Sequence, residues 1–292
     1  MKREVKELVK SLTSTDQIKL QIKFLEEQNI FYKMKLTNYT TTIETPSQIF
    51  KWNNNNMSKK AFIAYSMILK DLKEYTANER PDTMNNNLEY FNTNIEGIIN
   101  QETVYCIDIK SAYASVLLND GFISERTFQF INLLPKKSRL AAVGMLASRN
   151  DLFYFQGREL TGHQKNVNVN ENYFWYCVQR TADLMNLIKA QTDYLFFWVD
   201  GIYFLTQKDA DKAKEILTAE KYLYTEKKCL MFQAQTIDKP AGKMNRISFY
   251  ECKNLNLKYE DAKKEDVEYK IFSIPLRRKI KNEIIEYLIK NY

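Results

Sequence analysis

The spacing of apolar side chains changes several times along this chain, and each change marks an element. In KKAFIAYSMILKDLKEY, residues 59–75, they recur every three to four positions, which predicts an amphipathic helix. NYFWYCVQRTADLMNLIKAQ (172–191) and KDADKAKEIL (208–217) share that period and predict two more helices. PKKSRLAAVGMLASR (135–149) predicts a further one, with Pro135 at the first helical position. Near the N-terminus, helical spacing with an N-cap at Ser14 or Thr15 gives way to IFYKMKLT (30–37), which reads as a strand. Alternating aromatics and a glycine in DLFYFQGRELTG (151–162) predict a hairpin. KWNNNNMSKK reads as a polar loop and TANERPDTMNNN as a breaker-rich link.

Two apolar runs end on an aspartate. VYCIDI, residues 104–109, predicts a buried strand that delivers Asp108 at its tip, followed by a short helix from about Ser111 to Leu118. TDYLFFWVDGIYFLT, residues 192–206, predicts two strand arms around a tight tip at Asp200-Gly201. Each feature alone is ordinary punctuation of strands. Together they are what a two-metal site requires, because Mg²⁺ takes oxygen ligands and needs only one or two protein carboxylates beside waters and substrate phosphates.

Composition narrows the class. The 292 residues suffice for a substantial core, and 45% apolar with 27% charged residues describes a globular chain. Seven glycines and five prolines are few for a turn-rich sandwich or barrel, and favour helices mixed with strands. A formal charge of +7 suits contact with a polyanion, although solvated lysine-rich faces look the same. Cys106, Cys177, Cys229 and Cys252 are widely spaced and His163 is the sole histidine, so reduced, buried thiols are expected rather than zinc. The charged start MKREVKELVK and the lack of any apolar run of membrane length lead us to expect a cytoplasmic protein without membrane contact.

In order and spacing these segments resemble the palm of family B DNA polymerases. DIKSAYAS, residues 108–115, is similar to the family's first motif, aspartate-x-x-serine-x-tyrosine-x-serine, with Ala114 in place of its proline. KKSRLAAVG (136–144) resembles the fingers-helix motif, which runs from a lysine to a glycine eight residues on. Leu140, Ala141 and Val143 replace its other usual residues. FFWVDGIYF resembles the third motif, with Asp200 on its second aspartate and Trp198 in the place of the first. The resemblance covers about residues 103–250.

What the resemblance implies is an α+β fold: a palm-like antiparallel sheet backed by helices, with reduced fingers and a small helical N-terminal segment. The implied division is an N-terminal helical or α+β segment (1–102), a palm-like core (103–250) with fingers at about 119–165, and a basic thumb-like segment (251–292). Asp108 and Asp200 would be catalytic and would hold two Mg²⁺ (or Mn²⁺) ions. Ile109, Ser111 and Ala112 would meet the nucleotide through their backbone, Tyr113 would lie under its sugar, and Lys136, Lys137 and Arg139 would neutralise its phosphates. Lys243, Arg246, Arg277, Arg278 and Lys279 would touch the nucleic-acid backbone.

The expected partners are a DNA primer-template and deoxynucleoside triphosphates, with a replication accessory protein as a further candidate. A phage-type enzyme without a proofreading domain, working in a host cytoplasm, fits this picture. Two alternatives stay open. Trp198 and the short fingers suit a catalytically inactive palm kept as a nucleic-acid-binding or replisome scaffold. An aspartate followed five residues later by an aromatic also suits a reverse-transcriptase-like polymerase.

Overall fold

In a computed structural model the described residues are 14–37, 40–53, 59–75, 81, 91–92, 99–237, 246–272, 284, 287 and 288. The fold is α+β, with seven α-helices and two antiparallel sheets among these residues. The chain divides into two compact units, neither continuous in sequence. The first gathers Met1–Met67, Leu134–Glu171 and Leu276–Tyr292, and the second Ile68–Leu133 and Asn172–Pro275. The N-terminal segment and the hairpin expected within the fingers therefore share one unit.

The first unit is built around a five-stranded sheet of β1 (Phe31–Thr37), β2 (Thr40–Glu44), β3 (Ile49–Asn53), β6 (Arg149–Gln156) and β7 (Glu159–Val167), in the order β3-β2-β1-β6-β7. Strand period decides its two faces. Tyr32, Met34 and Leu36 point inward and are fully buried, against Ile18, Ile22 and Leu25 of α1 (Ser14–Glu27) and Phe153 and Phe155 of β6. Ile284 and Leu288, one helical turn apart, close the same core. Residues 51–53 extend β3 where the sequence suggested a loop, because Phe50 and Trp52 pack on this core. The β6–β7 hairpin turns at Gly157, whose φ of 55° and whose approach to Asn29 leave no room for a side chain. Helix α2 (Lys59–Tyr75) follows β3 and runs from this unit into the second.

The second unit holds a seven-stranded sheet. Its strands are β4 (Phe91–Asn92), β5 (Ile99–Ile109), β8 (Phe196–Trp198), β9 (Gly201–Phe204), β10 (Tyr224–Ile237), β11 (Arg246–Cys252) and β12 (Glu268–Phe272). They lie in the order β12-β11-β10-β5-β9-β8-β4. The sheet curls into a half-barrel. The rings of Phe196 on β8 and Phe249 on β11 lie 6.0 Å apart, although four strand spacings, about 19 Å in a flat sheet, separate their strands. Val104, Cys106, Phe196, Tyr203, Cys229, Met231, Ile247 and Phe249 fill the concave side. The thiols of all four cysteines are free and buried.

Between β5 and β8 run α3 (Ala112–Asn119), α4 (Glu125–Asn132), α5 (Lys136–Gly144, in the first unit) and α6 (Glu171–Lys189); α7 (Gln207–Ala219) joins β9 to β10. The sequence β5-α6-β8-β9-α7-β10 with spatial order β10-β5-β9-β8 is the ferredoxin-like βαββαβ arrangement. Helix α7 starts where Thr206 accepts the Asp209 N–H at 3.1 Å, and it buries Ala210, Ala213, Ile216 and Leu217 on one face, against β5 and β9. Its period matches the sequence expectation, as do those of α2 and α6. No helix among the described residues is long and apolar enough to cross a membrane.

Candidate active site

Asp108 is the penultimate residue of β5, and its register partner on β9 is Gly201. The Ile109 N–H donates to the Asp200 carbonyl at 2.8 Å, so the two aspartates stand at the same end of adjacent strands. Both are partly exposed. On the other side β10 pairs Thr225 with Asp108, and the Lys110 N–H donates to the Leu223 carbonyl at 2.8 Å, clamping the end of β5.

The hairpin differs from its sequence reading in one respect. Trp198 pairs with Gly201, so the two-residue turn is Val199-Asp200, and Gly201 is the first residue of β9 rather than part of the tip. Val199 adopts φ 55°, a left-handed conformation that a β-branched residue rarely takes. The glycine serves its neighbour instead: a Cβ at position 201 would lie 3.0 Å from Asp108 Oδ1. The Asp108 carboxylate therefore leans over the strand that begins next to Asp200.

A second left-handed residue follows Asp108. Ser111 has φ 54° and ψ 46°, which bends β5 sharply into α3, and its hydroxyl donates to Asn132 Oδ1 at 2.5 Å. The Ser111 side chain does not cap α3, so that helix presents its first amides from Ala112 onward, beginning four residues after Asp108. Ser115 ties the turn from inside by donating to the Lys110 carbonyl at 2.8 Å. Tyr113 is half-buried, its ring edge-on to Phe174 at 5.6 Å. Left-handed backbone at non-glycine residues thus flanks both carboxylates, at Ser111 after Asp108 and at Val199 before Asp200.

Register also brings in residues that sequence reading missed. Thr225, Asp108, Gly201 and Trp198 form one cross-strand row, and Lys227, Cys106, Tyr203 and Phe196 form the next row down. Tyr203 stacks on Phe196 at 4.3 Å, and burial pushes the Cys106 thiol up to about 12, which keeps it protonated at neutral pH. Lys227 is held in an ion pair by the buried Glu251 of β11. Burial alone would depress the Lys227 pKa, but the hydrogen bond and charge of Glu251 outweigh it and raise it. The pair neutralises itself. A lysine and a glutamate in strands 24 residues apart carry no motif, so only the register reveals them.

The remaining expected residues belong to other elements. Lys136, Lys137 and Arg139 sit in the first turn of α5 in the first unit, the two lysines exposed and the arginine partly so. Arg246 opens β11 opposite Ile237. Lys243, Arg277, Arg278 and Lys279 lie outside the described residues. Among the described residues no three His, Cys, Asp or Glu side chains form a metal-binding group. A scan against protein-family models and a search of curated proteins each found no match to this chain.

Proposed function

We propose that this chain is a template-directed nucleotidyltransferase of the polymerase palm type, extending a DNA primer with deoxynucleoside triphosphates. The observation that carries the reading is the convergence of Asp108 and Asp200, 92 positions apart in sequence, at the adjoining ends of β5 and the β8–β9 hairpin. A βαββαβ sheet hosts many functions, so the site and not the fold supports the assignment.

In this reading a primer 3′-hydroxyl attacks the α-phosphate, and pyrophosphate leaves. Mg²⁺ or Mn²⁺ held by Asp108 and Asp200 would supply the positive charge that stabilises the attacking and leaving oxygens. The donor set fits such a hard cation: two carboxylates on partly exposed residues. The open N-terminus of α3 offers backbone N–H groups to the triphosphate. Tyr113, braced by Phe174, takes the position beside the sugar.

Primer extension tests this directly. Asp108→Asn and Asp200→Asn preserve shape and remove charge, and each is expected to slow single-turnover extension by about 10²–10³-fold, the scale of losing one preorganised charge-stabilising group. Wild-type rates in both variants would end the proposal. A second reading, an inactive palm that binds nucleic acid, draws on Trp198, which occupies the row of Asp108 where the family has a carboxylate. Tight DNA binding by the wild-type chain without incorporation selects it. Faster extension on an RNA template selects the reverse-transcriptase-like alternative.

A further inference from the structure

The outer face of the five-stranded sheet plays no part in the chemistry above, yet its composition is unusual for a merely solvated surface. Because Tyr32, Met34 and Leu36 are buried on one side of β1, strand period sends Phe31, Lys33 and Lys35 to the other. Lys51 of β3 reaches the same face through Thr42, which pairs with both Lys51 and Lys35. On β6, Tyr154 pairs with Lys33, whose ammonium lies 6.0 Å from the ring centroid. None of the three lysines joins an ion pair among the described residues. Against them the register sets Glu44, across from Lys33, and Glu159, at the far end of the hairpin.

Two features of this face point to one kind of occupant. Lys33 and Lys35 on β1 and Lys51 on β3, on either side of β2, outnumber the two glutamates and suit a polyanion. Phe31, 43% exposed, and the partly exposed Tyr154 gain little from burial where they are, and each presents a ring beside the cations. Lysines interleaved with accessible aromatics on a sheet face are a combination that holds a single strand, with phosphates on the cations and bases on the rings.

We propose that this face binds single-stranded nucleic acid, with phosphates on Lys33, Lys35 and Lys51 and bases stacked on Tyr154 and Phe31. The preference for nucleic acid over other polyanions rests on the nucleotidyltransferase reading, but the face belongs wholly to the first unit and is testable without catalysis.

The test is fluorescence anisotropy of labelled oligothymidylate with the full chain, in EDTA and without nucleotide, across a salt series. The triple variant Lys33→Gln, Lys35→Gln, Lys51→Gln is expected to bind about tenfold or more weakly. Its plot of log affinity against log salt should be shallower by about 2, since each lost phosphate contact removes about 0.7 from the slope. Tyr154→Leu is expected to weaken binding about tenfold with the slope unchanged. The assay contains neither metal ion nor nucleotide, so an inactive palm leaves it intact. Melting curves matching the wild type establish that the variants are folded. Unchanged affinity and slope in the triple variant would overturn the proposal, as would wild-type binding to anionic phospholipid vesicles but not to the oligonucleotide.

Discussion

Gly201 shows how a single missing side chain shapes the site. Its place opposite Asp108 leaves the carboxylate free to lean across the strand, and a methyl group there would stand 3.0 Å from Oδ1. Gly201→Ala is therefore expected to swing the Asp108 carboxylate while changing the core little. Displacement on the ångström scale costs about 10²-fold when geometry is catalytic. Single-turnover extension should fall by that order while the melting temperature holds within a few degrees, and a variant as fast as wild type would detach Gly201 from the site. Val199 carries the opposite signature, a β-branched residue held at φ 55°. Asn tolerates that conformation better, so Val199→Asn should stabilise the fold by about 1 kcal/mol in a urea titration. If activity falls at the same time, the strained turn contributes to placing Asp200.

At the scale of elements, the second unit is anchored by a carboxylate that serves a helix other than its own. Asp71, in the last turns of α2, accepts the backbone N–H and the hydroxyl of Ser124, both at 2.8 Å, at the N-cap of α4. Burial pushes its pKa up, but the hydrogen bonds from Thr127 and Ser124 outweigh that and hold it below the ordinary carboxylate value. A depressed folded-state pKa adds stability that is fully present above the unfolded value, about 3.9, and is lost as pH falls through the folded one. Stability at neutral pH should drop by about 1–3 kcal/mol in Asp71→Asn, with the gap to wild type narrowing as pH falls from about 5 toward 3 in denaturant titrations. A gap independent of pH would show that the Asp71 charge contributes nothing.

Elements like these were legible where the signal is local. The periods of α2, α6 and α7, the hairpin at Gly157 and the two aspartate-tipped strands are all written within a dozen residues. Asp-Gly misled because the dipeptide is a turn signal in isolation, whereas the glycine here answers a contact with β5, some ninety residues earlier in the chain. The Lys227–Glu251 pair and the row Thr225–Asp108–Gly201–Trp198 follow from strand register, which hydrophobic alternation constrains only to within a face.

For the whole molecule, the largest gap between sequence and structure is the pairing of β1 with β6. Phe31 aligns with Gln156 and Thr37 with Asn150, so a strand near the N-terminus completes a sheet whose other half lies more than a hundred residues on. The pairing means that residues 1–67 are not a detachable appendage. Without them β6 would present a bare hydrogen-bonding edge, and Phe153 and Phe155 would lose the cover of Tyr32, Met34 and α1. An exposed edge strand beside uncovered aromatics templates association. A chain beginning at Ile68 is therefore expected to aggregate or to elute as large oligomers in size-exclusion chromatography, even though it keeps both Asp108 and Asp200. Adding residues 14–67 back as a separate polypeptide during refolding should recover part of the soluble fraction, because the missing strand supplies its contacts in trans. A monomeric, well-folded truncation would mean that the sheet tolerates the loss of three of its five strands, and that the first unit folds around the β6–β7 hairpin alone.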